Sequence, residues 1–490
     1  MTNDTRDTVR NAALVLVQRG AQLVGGVCFA LVVPRLMGPE QYGRYALATS
    51  VAAWFALLSG LGLLNATTRY LPPLLARRET SALQRLIGEL FTLRVASGLL
   101  AALLYLTVGR WWWRDPDPVV ALVMAVTVWA QGLSGYLFSI FLGFNQAGRW
   151  AFGDTARRWL LVGLVLSGYQ LGGLRGAVVG VLLTELTVLG LGFMGNPLLE
   201  ARHRLRPDRT FLAPYLRFGV ASLATQILLI AFLGSGEILV RTFSGPYAEV
   251  GYFSLAHNAY LMVVTTIPQI MLAFLPFLGQ LRDAGQAREL ARWSARLVRV
   301  LAATGVLGVF ATWFLGAAYV PLLFGAAYAP IAANLLPLSA AALAFALASV
   351  PSLLALVHER PSETVVAAAL RLVVFWGIAP SLIARQGSRG ACLAVLAGAS
   401  VHALYLGWRT RRLVSGSVGD WALPAILGSL FLPLALFRTG RPMDLALWCA
   451  GALVYGAALV LLRVVTFGEI SAVAGLLRRG AVRSGEPEAT

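Results

Sequence analysis

Apolar runs about as long as a membrane-spanning helix recur along nearly the whole chain. An α-helix rises 1.5 Å per residue and the hydrocarbon core of a bilayer is about 30 Å thick, so about 20 mostly apolar residues cross it. The runs lie at 11–33, 44–68, 86–109, 118–142, 157–174 and 176–195. They continue at 215–241, 248–278, 296–316, 331–357, 363–384, 389–408, 421–438 and 443–463. The expected fold is therefore an all-α polytopic membrane protein with about fourteen transmembrane helices. Composition agrees: of 490 residues, 58% are hydrophobic and 13% charged, against about 25% charged in soluble domains. Such a chain is neither a soluble enzyme, nor a nucleic-acid binder, nor a disordered protein.

Charge gives the expected orientation. All 40 basic residues are Arg, and the net charge is +18. With a cytoplasmic N-terminus and an even number of spans, about 27 Arg fall on the cytoplasmic side and about 10 on the other, the bias of the positive-inside rule. Arg149, Arg157 and Arg158 are counted in one of these cytoplasmic loops. The first run is broken by Gln18, Arg19 and Gln22 and lacks a small-residue cleavage pattern, so it is read as a retained span. Cys28, Cys392 and Cys449 are isolated in apolar runs and suggest neither a disulfide nor a metal site.

The chain also repeats. Residues 38–48 read GPEQYGRYALA and residues 245–256 read GPYAEVGYFSLA; YLPPLLARRE from Tyr70 is followed at a similar offset by AFLPFLGQLRD from Ala273. The expected organisation is a six-helix lobe at 1–195, a cytoplasmic linker at 196–214 and a second six-helix lobe at 215–412. Two additional helices at 413–465 and a cytoplasmic tail at 466–490 complete it. Parallel halves around a central site are a recurring transporter architecture.

The stretches VVPRLMGPEQYGRYALATS and LLSGLGLLNATTRYLPPLLARRE resemble the polysaccharide and O-antigen flippase family of the multidrug/oligosaccharidyl-lipid/polysaccharide exporter superfamily. The Arg35–Tyr45 turn carries the likeness. A weaker copy, GEILVRTFSGPYAEVGYFSLA, starts at Gly236, with Glu237 where the family often has Asp. The resemblance runs over residues 10–465 and rests on structural turns. It implies two six-helix bundles that move an undecaprenyl-pyrophosphate-linked saccharide repeat from the cytoplasmic to the periplasmic leaflet by alternating access. The setting it implies is the bacterial inner membrane, and the partners are the lipid-linked oligosaccharide, membrane lipids, a polysaccharide polymerase and glycosyltransferases. No catalytic residue, metal or cofactor is expected; a H+ or Na+ gradient is the energy source left open.

Carrying a pyrophosphate through hydrocarbon calls for a cavity lined by cations, since a bare charge there is very costly. Arg suits this role because its planar guanidinium binds phosphate oxygens in pairs. The candidates are Arg19, Arg94, Arg241 and Arg371. Each has a plainer reading: Arg94 as the partner of Glu89, Arg241 as the i+4 partner of Glu237, Arg19 as a side chain reaching an interface. Glu237 and Glu185 are candidates for ion coupling. Gln22, His257, Asn258 and His402 are secondary polar candidates, and Asn65, Gln131, Asn145, Gln226 and Gln269 are either sugar contacts or helix–helix hydrogen bonds. Trp111, Trp112 and Trp113 fit an interfacial aromatic belt.

Two rival functions remain. A drug/cation antiporter of the same superfamily would need an acidic, aromatic cavity. A membrane glycosyltransferase or O-antigen ligase would use Asp115 and Asp117, in Arg114-Asp115-Pro116-Asp117-Pro118, which also reads as a short Pro-rich turn. Replacing Arg19 with Ala is expected to abolish transport while membrane insertion stays normal; wild-type surface polysaccharide in that variant would remove Arg19 from the site.

Overall fold

A glycine or proline that breaks a helix leaves N–H and C=O groups unpaired, and in a bilayer no water is present to take them. The positions of such breaks, and what covers them, organise this protein. The computed structural model describes residues 3–109, 117–200, 208–411, 426–439 and 443–462. Residues 110–116, with the three tryptophans and Asp115, lie outside them, as do the side chains of residues 3–17 and of Arg19.

The described residues form helices α1 (Asn3–Gly60), α2 (Leu63–Ala76), α3 (Thr80–Thr107), α4 (Pro118–Gly143), α5 (Ala147–Phe193) and α6 (Arg209–Leu233). There follow α7 (Gly236–Ser244), α8 (Tyr247–Leu272), α9 (Leu275–Asp283), α10 (Ala287–Phe324), α11 (Ile331–Val357) and α12 (Pro361–Thr410). The short α13 (Phe431–Ala435) and α14 (Asp444–Leu461) end the described chain. Among the described residues ten helical stretches are long and apolar enough to cross a membrane. The protein is a multi-pass membrane protein.

Ten stretches cover most of the fourteen expected runs because three helices are about twice the needed length. α1, α5 and α12 have 58, 47 and 50 residues, and each contains glycine with non-helical angles: Gly38, Gly172–Gly173 and Gly387. Runs expected as separate spans are thus joined without a loop. Of the run expected at 421–438, residues 421–425 lie outside the described residues, and the five-residue α13 is too short to cross.

The chain divides into two compact units, Met1–Ile238 and Leu239–Thr490. In the first, α4 packs against α1, α3 and α5; in the second, α11 packs against α8, α10 and α12. The first unit's core joins Leu63, Leu86, Leu90, Leu133, Tyr136 and Ile140. The second unit's joins Phe274, Leu278, Leu297, Val350 and Leu354. In the second unit, α14 and α13 pack on α10 through Phe431, Tyr455, Phe314 and Val306.

Left-handed residues recur in register between the units. Gly38 (φ 70°) and Gly245 (φ 92°) are 207 apart, as are Arg78 (φ 56°) and Gly285 (φ 68°). Asn145 (φ 57°) and Glu359 (φ 58°) are 214 apart, as are Gly173 and Gly387, both at φ 57°. The last pair sits in GLRGA and GSRGA, with ψ of −139° and −135°. That region of backbone space is essentially closed to residues with a Cβ. Three residues beyond each break a glycine lets the hairpin close backbone to backbone. A Cβ at Gly176 would lie 1.9 Å from the Gly168 carbonyl oxygen, and one at Gly390 would lie 2.1 Å from that of Leu382.

The turn after α1 and the break at Gly387 have polar partners on their backbone groups. α1 ends at Gly60, and Leu61 and Gly62 turn through left-handed angles; the carbonyl of buried Ser59 accepts from Arg94 Nη1 at 2.6 Å and Ser97 Oγ at 2.8 Å. Beyond Gly387, the Ser388 N–H donates to Glu249 Oε2 at 2.6 Å, and Asn334 Nδ2 donates to Ser388 Oγ at 3.0 Å. Asp117 caps α4 by accepting from the Val119 N–H at 3.0 Å and pairs with Arg175 Nε, two residues past Gly173, at 2.5 Å. Arg175 holds the Asp117 carboxyl below the usual carboxylate range. These contacts give Asp117 a structural role; Asp115 lies outside the described residues.

Asp208 caps α6 in the same way. Its Oδ1 accepts from the Thr210 hydroxyl and N–H at 2.6 and 3.0 Å, and its Oδ2 from Arg85 Nη2 at 2.7 Å. The Thr210 hydroxyl first, then the backbone N–H groups and Arg85, hold its carboxyl at about 2 against an ordinary 3.8. A carboxyl lowered by folding stabilises the fold above its unfolded value, and that contribution disappears as pH falls through the folded one. Asp208→Asn is therefore expected to lose less thermal stability than wild type between pH 3.8 and about 2. Equal losses in a detergent melting series would show that the cap contributes nothing.

Candidate functional site

Two adjoining polar clusters of the first unit lie within its helix bundle. α1 contributes Gln18 and Gln22, α4 contributes Ser134, and the two arms of α5 contribute Asp154, Arg157 and Glu185. Arg157 is ten residues into α5, so about 15 Å along the helix. Arg157 Nε lies 3.2 Å from Glu185 Oε1 as an ion pair, and its Nη2 donates to Ser134 Oγ at 2.8 Å. Ser134 Oγ in turn donates to Glu185 Oε2 at 3.0 Å. Beside this triad, Asp154 Oδ2 accepts from Gln18 Nε2 at 3.0 Å and from Gln22 Nε2. Gln18 is 3% exposed and its Oε1 has no hydrogen bond among the described residues. Two carboxylates, one guanidinium and an unpaired amide oxygen can hold a cation or a proton, or change partners when one binds.

The expected site residues distribute as follows. Gln22 bonds Asp154, and Glu185 pairs with Arg157 in the adjoining cluster. The Arg19 side chain, next to Gln18 in sequence, lies outside the described residues. Arg94 is buried and donates from Nη1 to the Ser59 carbonyl and from Nη2 to the Gly132 carbonyl, both at 2.6 Å. Glu89, fully buried, pairs with Arg85 at 2.7 Å and accepts from the Asp208 N–H at 3.0 Å. The alternative pairing of Glu89 with Arg94 is corrected by geometry: five residues apart on one helix point to different faces, whereas Arg85 is four away.

The others lie from α7 onward. Glu237 is buried and Arg241 half-buried on α7, with the Arg241 guanidinium 3.9 Å from the Tyr247 ring centroid. Arg371 is buried on α12, 5.6 Å from the Phe345 ring, on which His402 also stacks at 5.8 Å. His257 stacks between Phe253 at 4.9 Å and Tyr260 at 5.6 Å, and Asn258 beside it is half-buried. No group of three metal-ligating side chains occurs among the described residues.

Four residues escaped the sequence reading. The charge pattern places Arg157 in a cytoplasmic loop and gives no reading of Asp154, whereas α5 begins at Ala147 and carries both on the helix. Ser134 gives no signal of its own. Arg69 fell one residue past the run ending at 68, yet α2 continues to Ala76. It is exposed, lies 4.6 Å from the Phe218 ring and 5.6 Å from that of Tyr70, and has no carboxylate partner among the described residues. One turn away, Asn65 donates to Ser222 of α6.

The profile of the polysaccharide biosynthesis protein family matches residues 32–333. The chain belongs to that family. No curated protein sequence matches it. Among solved structures it is similar to the lipid II flippase MurJ in an inward closed conformation, with a TM-score of 0.73 and 12% identity over 93% of this chain and 99% of that one. It is similar also to a multidrug resistance MATE family transporter of the MOP superfamily in its inward-facing conformation, with a TM-score of 0.65 and 17% identity over 82% and 96%. The outward-facing conformation of a transporter so described gives 0.54 and 18% over 84% and 96%. This member of the polysaccharide biosynthesis protein family thus has the fold of MOP-superfamily transporters.

Removing one partner of a buried ion pair strands the other charge, at about 3 kcal/mol or more. Arg157→Leu is therefore expected to destabilise the protein by about that amount, and adding Glu185→Leu to recover most of it. If the double variant is no more stable than the single, the pair is not the network's organising contact.

Proposed function

We propose that this protein is a flippase that moves a polyprenyl-pyrophosphate-linked saccharide repeat from the cytoplasmic to the periplasmic leaflet of the bacterial inner membrane by alternating access. Both termini would then be cytoplasmic. Membership of the polysaccharide biosynthesis protein family on a transporter fold supports the reading. The observation that carries it is Arg69, a cation on a membrane-spanning segment, seated on two aromatic rings and with no carboxylate partner among the described residues. An accessible guanidinium at membrane depth without a carboxylate partner among the described residues favours an anionic ligand, and phosphate oxygens match its geometry.

Glu185 and Asp154 support a coupling role. Protonation, or replacement of Arg157 by a bound cation, alters the charge balance of a network that ties α1 to both arms of α5. A H+ or Na+ gradient would act there, and Glu237 is the second carboxylate proposed for this role. Arg19, Arg241 and Arg371 remain proposed substrate cations; Arg94 is proposed to act through the turn it holds.

Deleting the gene and profiling polyprenyl-linked sugars by mass spectrometry tests the reading. The complete repeat unit is expected to accumulate on the inner leaflet. Complementation with Arg69→Ala is expected to insert normally but to lower export about tenfold, the effect of one lost charge-assisted hydrogen bond. Truncated sugars would instead indicate a glycosyltransferase, and unchanged sugars a drug/cation antiporter.

A further inference from the structure

The two units differ at one place where their register says they should match. The paired left-handed residues align α3 with α10 at an offset of 207 and α4 with α11 at 214. A shared contact fixes the side chains: a Cβ at Gly98 would lie 3.0 Å from the Trp129 ring, and one at Gly305, its counterpart, 2.4 Å from Leu343, the counterpart of Trp129. In the first unit the adjoining space is filled by Tyr105, buried and edge-on to Phe55 at 5.5 Å. The counterparts of Phe55, Tyr105 and Trp129 are Met262, Thr312 and Leu343. Where the first unit has three aromatic rings, the second has none.

A groove of about 360 Å³ lies there between α8, α10 and α11, with Ala256, Tyr260, Leu338 and Ala342 buried at its floor. A second cavity of about 310 Å³ shares Ala259, Thr312 and Leu335 with the first and continues it to Leu323 and Phe324. From Leu301 to Phe324, α10 rises about 35 Å, the full thickness of the hydrocarbon core.

We propose that this groove holds the isoprenoid chain of the polyprenyl carrier, a proposal that rests on the flippase reading above. The walls are nearly all apolar. The Thr312 and Ser339 hydroxyls are bonded to each other at 2.8 Å, and the Thr304 hydroxyl donates to its own helix at 2.8 Å. The Tyr260 hydroxyl is left without a partner among the described residues, too little for a water that needs about three. A hydrocarbon chain is the remaining occupant. A phospholipid acyl chain reaches only about half of the roughly 30 Å core, whereas the groove continues through both halves. A single linear chain longer than one leaflet fits its length, and a polyprenyl chain has that form.

The test is photolabelling of the full-length protein in lipid nanodiscs. The probes are undecaprenyl phosphate with a diazirine on its chain and phosphatidylglycerol with the same group on an acyl chain. Undecaprenyl adducts are expected on α10 near both Leu301 and Leu323, competed by unlabelled undecaprenyl phosphate and not by phosphatidylglycerol. Thr312→Tyr with Leu343→Trp, which restores residues of the first unit, is expected to lower labelling about tenfold. Should that variant fail to fold, the adduct map of the wild type decides. Equal labelling by phosphatidylglycerol, adducts confined to other helices, or no adduct at all would overturn the proposal. The assay needs neither saccharide nor transport. Unchanged sugars in the deletion strain would sink the flippase reading and leave a labelled groove standing; accumulated repeat units with an unlabelled groove would sink the chain site alone.

Discussion

In hydrocarbon a backbone N–H or C=O without a partner costs several kcal/mol, and this fold departs from straight helices at many points. The position of its charged side chains follows from that cost. Arg94 gives both Nη groups to carbonyls, one of them at the end of α1. Glu249 takes the first free N–H beyond Gly387. Asp117 and Asp208 cap α4 and α6 and are themselves paired with Arg. A chain with few charges has spent a notable share of them on the corners of its own backbone. Other polar groups, among them the Gln18–Asp154 and Arg157–Glu185 contacts and Arg69, serve no such corner.

Sequence periodicity was a good guide to which residues are helical and a poor one to where helices stop. Apolar runs mark membrane depth, not helix ends. The runs at 157–174 and 176–195 are one helix, since Gly172 and Gly173 turn it without a polar loop. The same blind spot hid the site. Arg157 and Arg69 stand at the margins of apolar runs, where charged residues usually meet water, but their helices continue past them for ten and seven residues. Glu185 and Gln22 were legible because each interrupts an apolar run. Their partners were not, because contacts such as Gln22 with Asp154 join residues 132 apart. Glu89 and Arg94 show the opposite error: nearness in sequence suggested a pair that helical geometry does not allow.

Two copies of one plan carry different burdens. Arg94 in the first unit corresponds to Leu301 in the second, where α8 passes toward α9 through nearly helical turns, Phe274 N–H bonding the Met271 carbonyl at 3.0 Å. At the position of Arg94 the second unit has Leu301, which joins an apolar wall. The first unit holds a filled bundle and a buried ionic network; the second holds a continuous apolar groove and cations resting on aromatic rings.

The paired left-handed residues show what the two units share. Asn145 corresponds to Glu359 and Arg78 to Gly285 in register, so these side chains differ while the sign of φ does not. At these positions the two units share torsion angles without sharing residue identities. A path fixed by a few backbone angles leaves volume and charge free to drift, one substitution at a time. Two bundles with the same turns can therefore differ in volume and charge while each keeps its route through the membrane.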